Sequence, residues 1–200
     1  MHLVDLDVTL VDMPYAVSRK LTVPLALQLP DLHLVLQAVM GWDNSHLYDF
    51  SCGRSLQWFD SDGPSFGGGF GSGQRSLKRS TLTDILAAMG GKKSFTYTYD
   101  MGDSWEHDLR PSRPRPMAAD EAPFRLRAAV GSCPPDDSGG APGFGHMLDC
   151  LEDPHSDERA DYVEWLGAET WDQTADVAEL TERLGKVAKK RARHYADNPV

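Results

Sequence analysis

The sequence predicts an α+β fold: a single domain spanning residues 1–200, with a mostly antiparallel sheet built around a central hairpin and covered by several helices. Three observations predict it. Apolar and polar residues alternate at residues 4–10, 17–23 and on the two arms of 95–109, the period of half-buried strands. Apolar stripes at helical spacing recur at residues 30–41, 81–89, 143–152 and 174–194. An acidic Asp-Met-Gly-Asp segment joins two of the strand patterns as a hairpin would.

Taken in order, Val4, Leu6, Val8 and Leu10 alternate with Asp5, Asp7 and Thr9 and give the first strand. Met13-Pro14 breaks it, and Val17 to Val23 alternates again as an antiparallel second strand. Pro30-Asp31 opens a helix whose stripe is Leu32, Val35, Leu36, Val39 and Met40, with Gly41 at the carboxyl-terminal cap. Trp42 to Ser45 turns the chain into a strand in which His46, Tyr48 and Phe50 share a face, with Asp49 on the other. Residues of about 60–76 are dominated by Gly, Ser, Asp and Pro; this stretch lacks the lysine and following helix of a phosphate-binding loop and is read as a flexible loop. Thr81 to Met89 is a short helix opened by a Thr-x-x-Asp capping box.

The hairpin follows. Phe95, Tyr97 and Tyr99 alternate with small polar residues, Asp100 and Asp103 flank a turn with Gly102 as its permissive residue, and Asp103, Trp105, His107 and Leu109 share one face of the return strand. A proline-rich loop leads to a strand within residues 124–130, and Cys133 to Gly140 (CPPDDSGG) is a rigid polar turn. Helices at residues 143–152, 155–167 and 174–194 complete the chain; Tyr162, Val163 and Leu166 point inward with Trp165 beside them, and the tail from about residue 183 is basic.

Composition narrows the classes. Hydrophobic residues at 40% and charged residues at 25% are those of an ordinary globular protein. Cys52, Cys133 and Cys150 are an odd number without CxxC spacing, so neither a disulfide framework nor a zinc ribbon is indicated. No basic signal-peptide start or membrane-length apolar run is present, and a cytoplasmic protein is expected. The net charge is -10, with twenty acids against six arginines between Asp100 and Glu182, and six basic residues against one acid between Arg183 and Val200. An acidic body disfavours nucleic-acid binding by the core, and the basic tail reads as a solvated helix end. A protein partner is therefore expected ahead of a nucleic acid; a homodimer is compatible with the chain, but nothing in it locates an interface.

The segments GWDNSHLYDF (Gly41 to Phe50), YTYDMGDSWEHDL (Tyr97 to Leu109), CPPDDSGGAPGFGHML (Cys133 to Leu148), and the later DPHSDE and WLG together resemble the plasmid pRiA4b ORF-3-like family, in order and spacing over most of the chain. The resemblance implies one compact α+β domain and an occurrence on plasmids, in insertion elements and in bacterial chromosomes. Some family members carry transposon-passenger or resolvase-like labels. The arginine-surrounded serine or tyrosine of a recombinase is not evident here. The chain departs from the family in Val17-Ser18-Arg19-Lys20, where Trp-Arg-Arg is usual, and in Met101 and Asp136, where Phe and Glu are common.

The candidate polar site comprises His46, Asp49, Tyr99, Asp100, Asp103, Trp105, His107 and Asp137. Within it, Asp100, Asp103 and His107 form a candidate divalent-metal set, with His46 or Asp137 as further ligands; carboxylates with imidazole suit Mn, Fe, Zn or Mg. Asp103 and His107 lie roughly 13 Å apart along an extended strand, so a shared ion would need a bulge. In the alternative both aspartates cap the turn and His107 bonds a neighbouring carboxylate or tyrosine. No cofactor is demanded. The reading is of a non-catalytic binding or accessory protein that engages a macromolecule through the hairpin face and the PPDDSGG loop, the alternative being a metal-dependent hydrolase or nuclease.

Overall fold

A computed structural model describes residues 1–59 and 73–196, with the side chains of residues 192–194 and 196 outside the description. Nine strands, β1 (His2–Leu10), β2 (Ser18–Pro24), β3 (Tyr48–Ser51), β4 (Gln57–Phe59), β5 (Gln74–Ser76), β6 (Phe95–Tyr99), β7 (Trp105–Pro111), β8 (Arg115–Pro116) and β9 (Arg125–Val130), form one sheet among the described residues. Its order is β5-β4-β3-β6-β7-β1-β2-β9, with β8 also paired to β1. Every pairing is antiparallel except β4 with β5. The hairpin β6–β7 thus occupies the centre of the sheet, joining the aminoterminal strands to the β3 side.

Alternation decides which face is buried. Val4, Leu6, Val8 and Leu10, then Phe95, Tyr97 and Tyr99, then Trp105, His107 and Leu109 lie inside, whereas Asp7, Thr9, Lys20, Glu106 and Arg110 point outward. Helix α1 (Leu29–Met40) crosses the apolar face and ends at Gly41, whose left-handed φ of 94° closes it as the sequence predicts. It is buried on nearly every side, because α5 (Val177–Ala196) packs against it as well. Helices α2 (Leu82–Ala88), α3 (Gly140–Glu152) and α4 (Arg159–Leu166) complete the set, and α2 carries the expected Thr81–Asp84 capping box. Among the described residues no helix is long and apolar enough to cross a membrane.

Four local readings change. Residues 60–72 of the expected loop lie outside the described residues, but Gln74–Ser76 is a strand, because its backbone pairs in parallel with the free edge of β4. His46 precedes β3 and does not lie on its face; Asn44 adopts a left-handed φ of 59° and turns the chain before the ladder begins. Trp165 is exposed, not inward, while Tyr162, Val163 and Leu166 are half-buried against the core. The left-handed residues of the hairpin turn are Asp100 (φ 58°) and Ser104 (φ 53°), and Gly102 is not among them. Asp100 tolerates this conformation because its own Oδ1 accepts the Gly102 N–H at 2.8 Å and the Asp103 N–H at 3.3 Å.

Candidate functional site

Three segments far apart in sequence meet at the mouth of the β6–β7 hairpin: residues 42–47 after α1, the turn 100–104, and the loop 134–140. The first is held from below by a buried polar network. His33 Nδ1 lies 2.7 Å from the Tyr97 hydroxyl, which also accepts the Gln37 amide N–H at 3.1 Å. Gln37 Oε1 in turn accepts the Asn44 N–H at 2.9 Å, and His33 Nε2 meets the Asn44 side-chain oxygen. Since the Asn44 oxygen only accepts, Nε2 carries the proton and Nδ1 accepts from Tyr97. Burial lowers the His33 pKa to about 4, so this imidazole is neutral at pH 7 and stacks on Tyr48 at 3.5 Å.

The third segment is pinned by backbone contacts. Trp42 Nε1 donates to Pro134 O at 2.8 Å while its ring stacks on Tyr99. Asp103 Oδ2 accepts the Gly139 N–H at 3.0 Å. Gly140, with φ 68°, passes so close to the turn that a Cβ there would stand 2.4 Å from Asp103 O. The CPPDDSGG loop therefore lies over the hairpin mouth.

This arrangement brings His46, Asp100 and Asp137 together, with one ligand atom from each within 4.8 Å of the others. Asp100 Oδ1 is used by the turn, which leaves Oδ2 facing His46 Nδ1 at 3.5 Å. On the other side of the ring, Nε2 stands 3.2 Å from Asp137 Oδ1, off the hydrogen-bond direction and otherwise without a partner. Tyr99 meets the His46 ring edge-on at 5.8 Å. Beside them Asp136 Oδ2 accepts from Ser45 Oγ at 3.2 Å and from the Tyr99 hydroxyl at 3.5 Å, and its buried Oδ1 has no partner. Burial raises the Asp136 pKa, with Asp137 adding to the rise and Ser45 and His46 opposing it. An imidazole beside two carboxylates at these distances suits a divalent cation of the Mg, Mn or Zn class.

The other expected site residues lie elsewhere. Asp103 neither joins the cluster nor caps the turn, which Asp100 alone caps; its carboxylate holds the Gly139 amide of the loop. His107 is fully buried with Nδ1 3.2 Å from the Tyr97 carbonyl, so it bonds the backbone and neither a carboxylate nor a phenol. Burial lowers its pKa to about 4. Trp105 is buried on the same face and lies 6.0 Å from Trp42. Asp49 stands on the opposite face with Thr98 and Glu106, takes the Gln57 amide at 2.6 Å, and has its pKa raised by burial. The sequence reading missed Ser45, Asp136 and the His33–Gln37–Asn44 network. The Asp-Asp doublet after Pro-Pro was a usable signal for Asp136, whereas His33 was hidden among the apolar positions of α1.

Two clefts border the site, one of about 360 Å³ lined by Trp42, Asp43, Cys133 and Asp136, the other of about 700 Å³ lined by Gly102, Asp103, Gly139 and Pro142. Neither is lined by His46, Asp100 or Asp137; of these Asp137 is exposed, His46 is partly buried and Asp100 is buried.

The chain is similar over most of its length to known proteins. The uncharacterized protein y4hQ of Sinorhizobium fredii is 38% identical over 191 residues, covering 95% of this chain and 94% of that protein. The crystal structure of a protein of unknown function, MM3350 from Methanosarcina mazei Go1, superposes with a TM-score of 0.70 at 27% identity, covering 86% of this chain and 93% of that one. The model of the plasmid pRiA4b ORF-3-like protein family matches residues 2–179, from the first strand through the hairpin and loop to the start of α5, and the chain belongs to that family.

Proposed function

We propose that this chain is a non-catalytic binding protein that engages a protein partner through the hairpin mouth and the Pro134–Gly140 loop, and that a divalent cation held by His46, Asp100 and Asp137 forms part of that surface. The observation that carries the reading is the His46 ring between two carboxylates, with Nε2 buried and unpaired, Asp100 buried on one side and Asp137 exposed on the other. Two apolar side chains project beside it, Leu47 at 72% and Met101 at 47% exposure, and Asp100 N–H bonds Leu47 O to keep them adjacent. Acidic groups around exposed apolar ones match a partner with basic and apolar side chains and repel a phosphate backbone. The family's occurrence on plasmids and insertion elements suggests an accessory role in such elements.

The test is the metal content of protein purified without chelator, together with thermal melting in added Mn, Zn, Mg and Ca for the wild type and for Asp137→Asn. A cation that binds the native state alone raises the melting temperature. The reading expects an Mn, Mg or Ca shift in the wild type that Asp137→Asn loses; a wild-type melt indifferent to Mn, Mg and Ca removes the cation from this surface.

A metal-dependent hydrolase or nuclease is the second reading, favoured by the 75% exposure of the Asp137 side chain. An ion there would keep solvent-facing positions for a water whose acidity it raises. Phosphoester turnover by the metal-loaded wild type, absent in Asp137→Asn, would decide for it.

A further inference from the structure

A second constellation lies away from the hairpin, on the α3–α4 corner. His146 and Cys150 are four residues apart on α3 and share a face. Glu158 stands at the amino-terminal cap of α4. The corner between them is closely held: Asp153 Oδ1 accepts the His155 N–H at 2.9 Å, Asp153 O accepts the Ser156 N–H at 3.2 Å, and Arg159 Nε donates to Leu151 O at 3.2 Å. Glu158 is thereby set opposite His146, whose ring also meets Tyr162 edge-on at 6.2 Å.

The three functional groups converge on one nitrogen. His146 Nε2 lies 3.5 Å from Cys150 Sγ and 3.2 Å from each Glu158 carboxylate oxygen, while Nδ1 is 4.0 Å from the sulfur. A nucleophile relay divides its partners between the two ring nitrogens, thiol on one and acid on the other. Here a single nitrogen faces both, and one N–H can point at only one of them. The distances have a simpler geometric meaning. With metal–ligand bonds of about 2.0–2.1 Å to nitrogen, 2.3 Å to sulfur and 2.0–2.2 Å to carboxylate, the edges of a zinc tetrahedron are about 3.5 Å for N···S and about 3.4 Å for N···O. Cys150 is 5% exposed, His146 and Glu158 are about half exposed, and the ligand atoms all lie within 4.8 Å of one another.

We propose that His146 Nε2, Cys150 Sγ and the Glu158 carboxylate form a zinc-class site, three protein ligands with a fourth position open to solvent beside Tyr162. The thiolate separates this site from the hairpin cluster, whose nitrogen and oxygen donors alone suit harder ions. The proposal stands whether or not the hairpin binds a cation.

The test titrates Co²⁺ into the chelator-stripped full chain and follows the thiolate-to-metal charge-transfer band, with Zn²⁺ displacing it. One equivalent of Co²⁺ produces the band in the wild type. Cys150→Ser abolishes it, Cys52→Ser and Asp137→Asn leave it intact, and Glu158→Gln weakens binding by more than the roughly 10- to 100-fold that loss of an outer partner costs. Because Cys150 is buried, circular dichroism melting accompanies each variant; if Cys150→Ser fails to fold, the surface substitution Glu158→Gln decides alone. Absence of the band in folded wild-type protein, its persistence in folded Cys150→Ser, or unchanged affinity in Glu158→Gln overturns the site.

Discussion

Arg19 is 1% exposed in β2, and its guanidinium is satisfied by carbonyls: Val39 O at 2.6 Å, Ser18 O and Val130 O at 2.8 Å, with Cys133 Sγ at 3.3 Å. The Val39 carbonyl belongs to the last turn of α1, where the helix dipole favours a cation. Desolvation pushes the Cys133 thiol up to about 11 against the pull of Arg19, so the sulfur serves as a neutral acceptor. Arg19→Met strands those carbonyls and should cost about 3 kcal/mol or more, read as a lower urea midpoint. His33 and His107 make the companion prediction in pH. Both have pKa values lowered by burial from 6.5 to about 4, so the unfolded chain takes up their protons first. Their contribution is complete above pH 6.5 and is lost as pH falls toward 4, up to about 3 kcal/mol for each. Asp49 and Asp136, whose pKa values burial raises, protonate early in the folded state and offset part of the loss at the lower end. Unfolding midpoints at pH 7.5 and pH 5 check the sign, and a profile flat across that window would refute it.

The CPPDDSGG loop stays over the hairpin because of Asp103 and Gly140, and both can be tested. Gly140→Ala gives a left-handed residue a Cβ that would stand 2.4 Å from Asp103 O, so about 1–3 kcal/mol of stability should go and any Mn-induced melting shift with it. Asp103→Ala should leave the melt nearly unchanged yet speed hydrogen exchange at the Gly139 amide, whose acceptor it removes. The elements themselves were legible: alternation gave β1, β2, β6 and β7 to within a residue or two, and the stripe ending at Gly41 gave α1. The site was legible only in its parts. Alternation says which side of a strand a residue faces, but it cannot say that His46 meets Asp137, a residue 91 positions later. It also counted Asp103 with Trp105 and His107, although Asp103 belongs to the turn and the other two to the core. The β4–β5 pairing was invisible for a related reason, since three-residue strands carry too few alternations to register.

Across the whole molecule, the two ends of the helical layer are tied by charge. Tyr195 donates to Asp31 Oδ2 at 2.6 Å and accepts the Gln28 N–H at 3.0 Å, while Arg191 stands 3.1 Å from Asp31 Oδ1. Arg183 meets Asp43 at 2.9 Å, so part of the basic tail answers acids of the same chain. Asp31 is only 5% exposed, and Tyr195→Phe should cost about 1–3 kcal/mol through this one oxygen, measurable as a fall in melting temperature. The sheet order has a consequence in time. Strand β1 lies between β2 and β7, and its second neighbour, beginning at Trp105, is made about a hundred residues after it. At ribosomal speeds of about 5–20 residues per second, the newborn chain carries Val4, Leu6 and Val8 on a half-matched strand for on the order of 5–20 s, and only the arrival of the hairpin closes that edge against other chains.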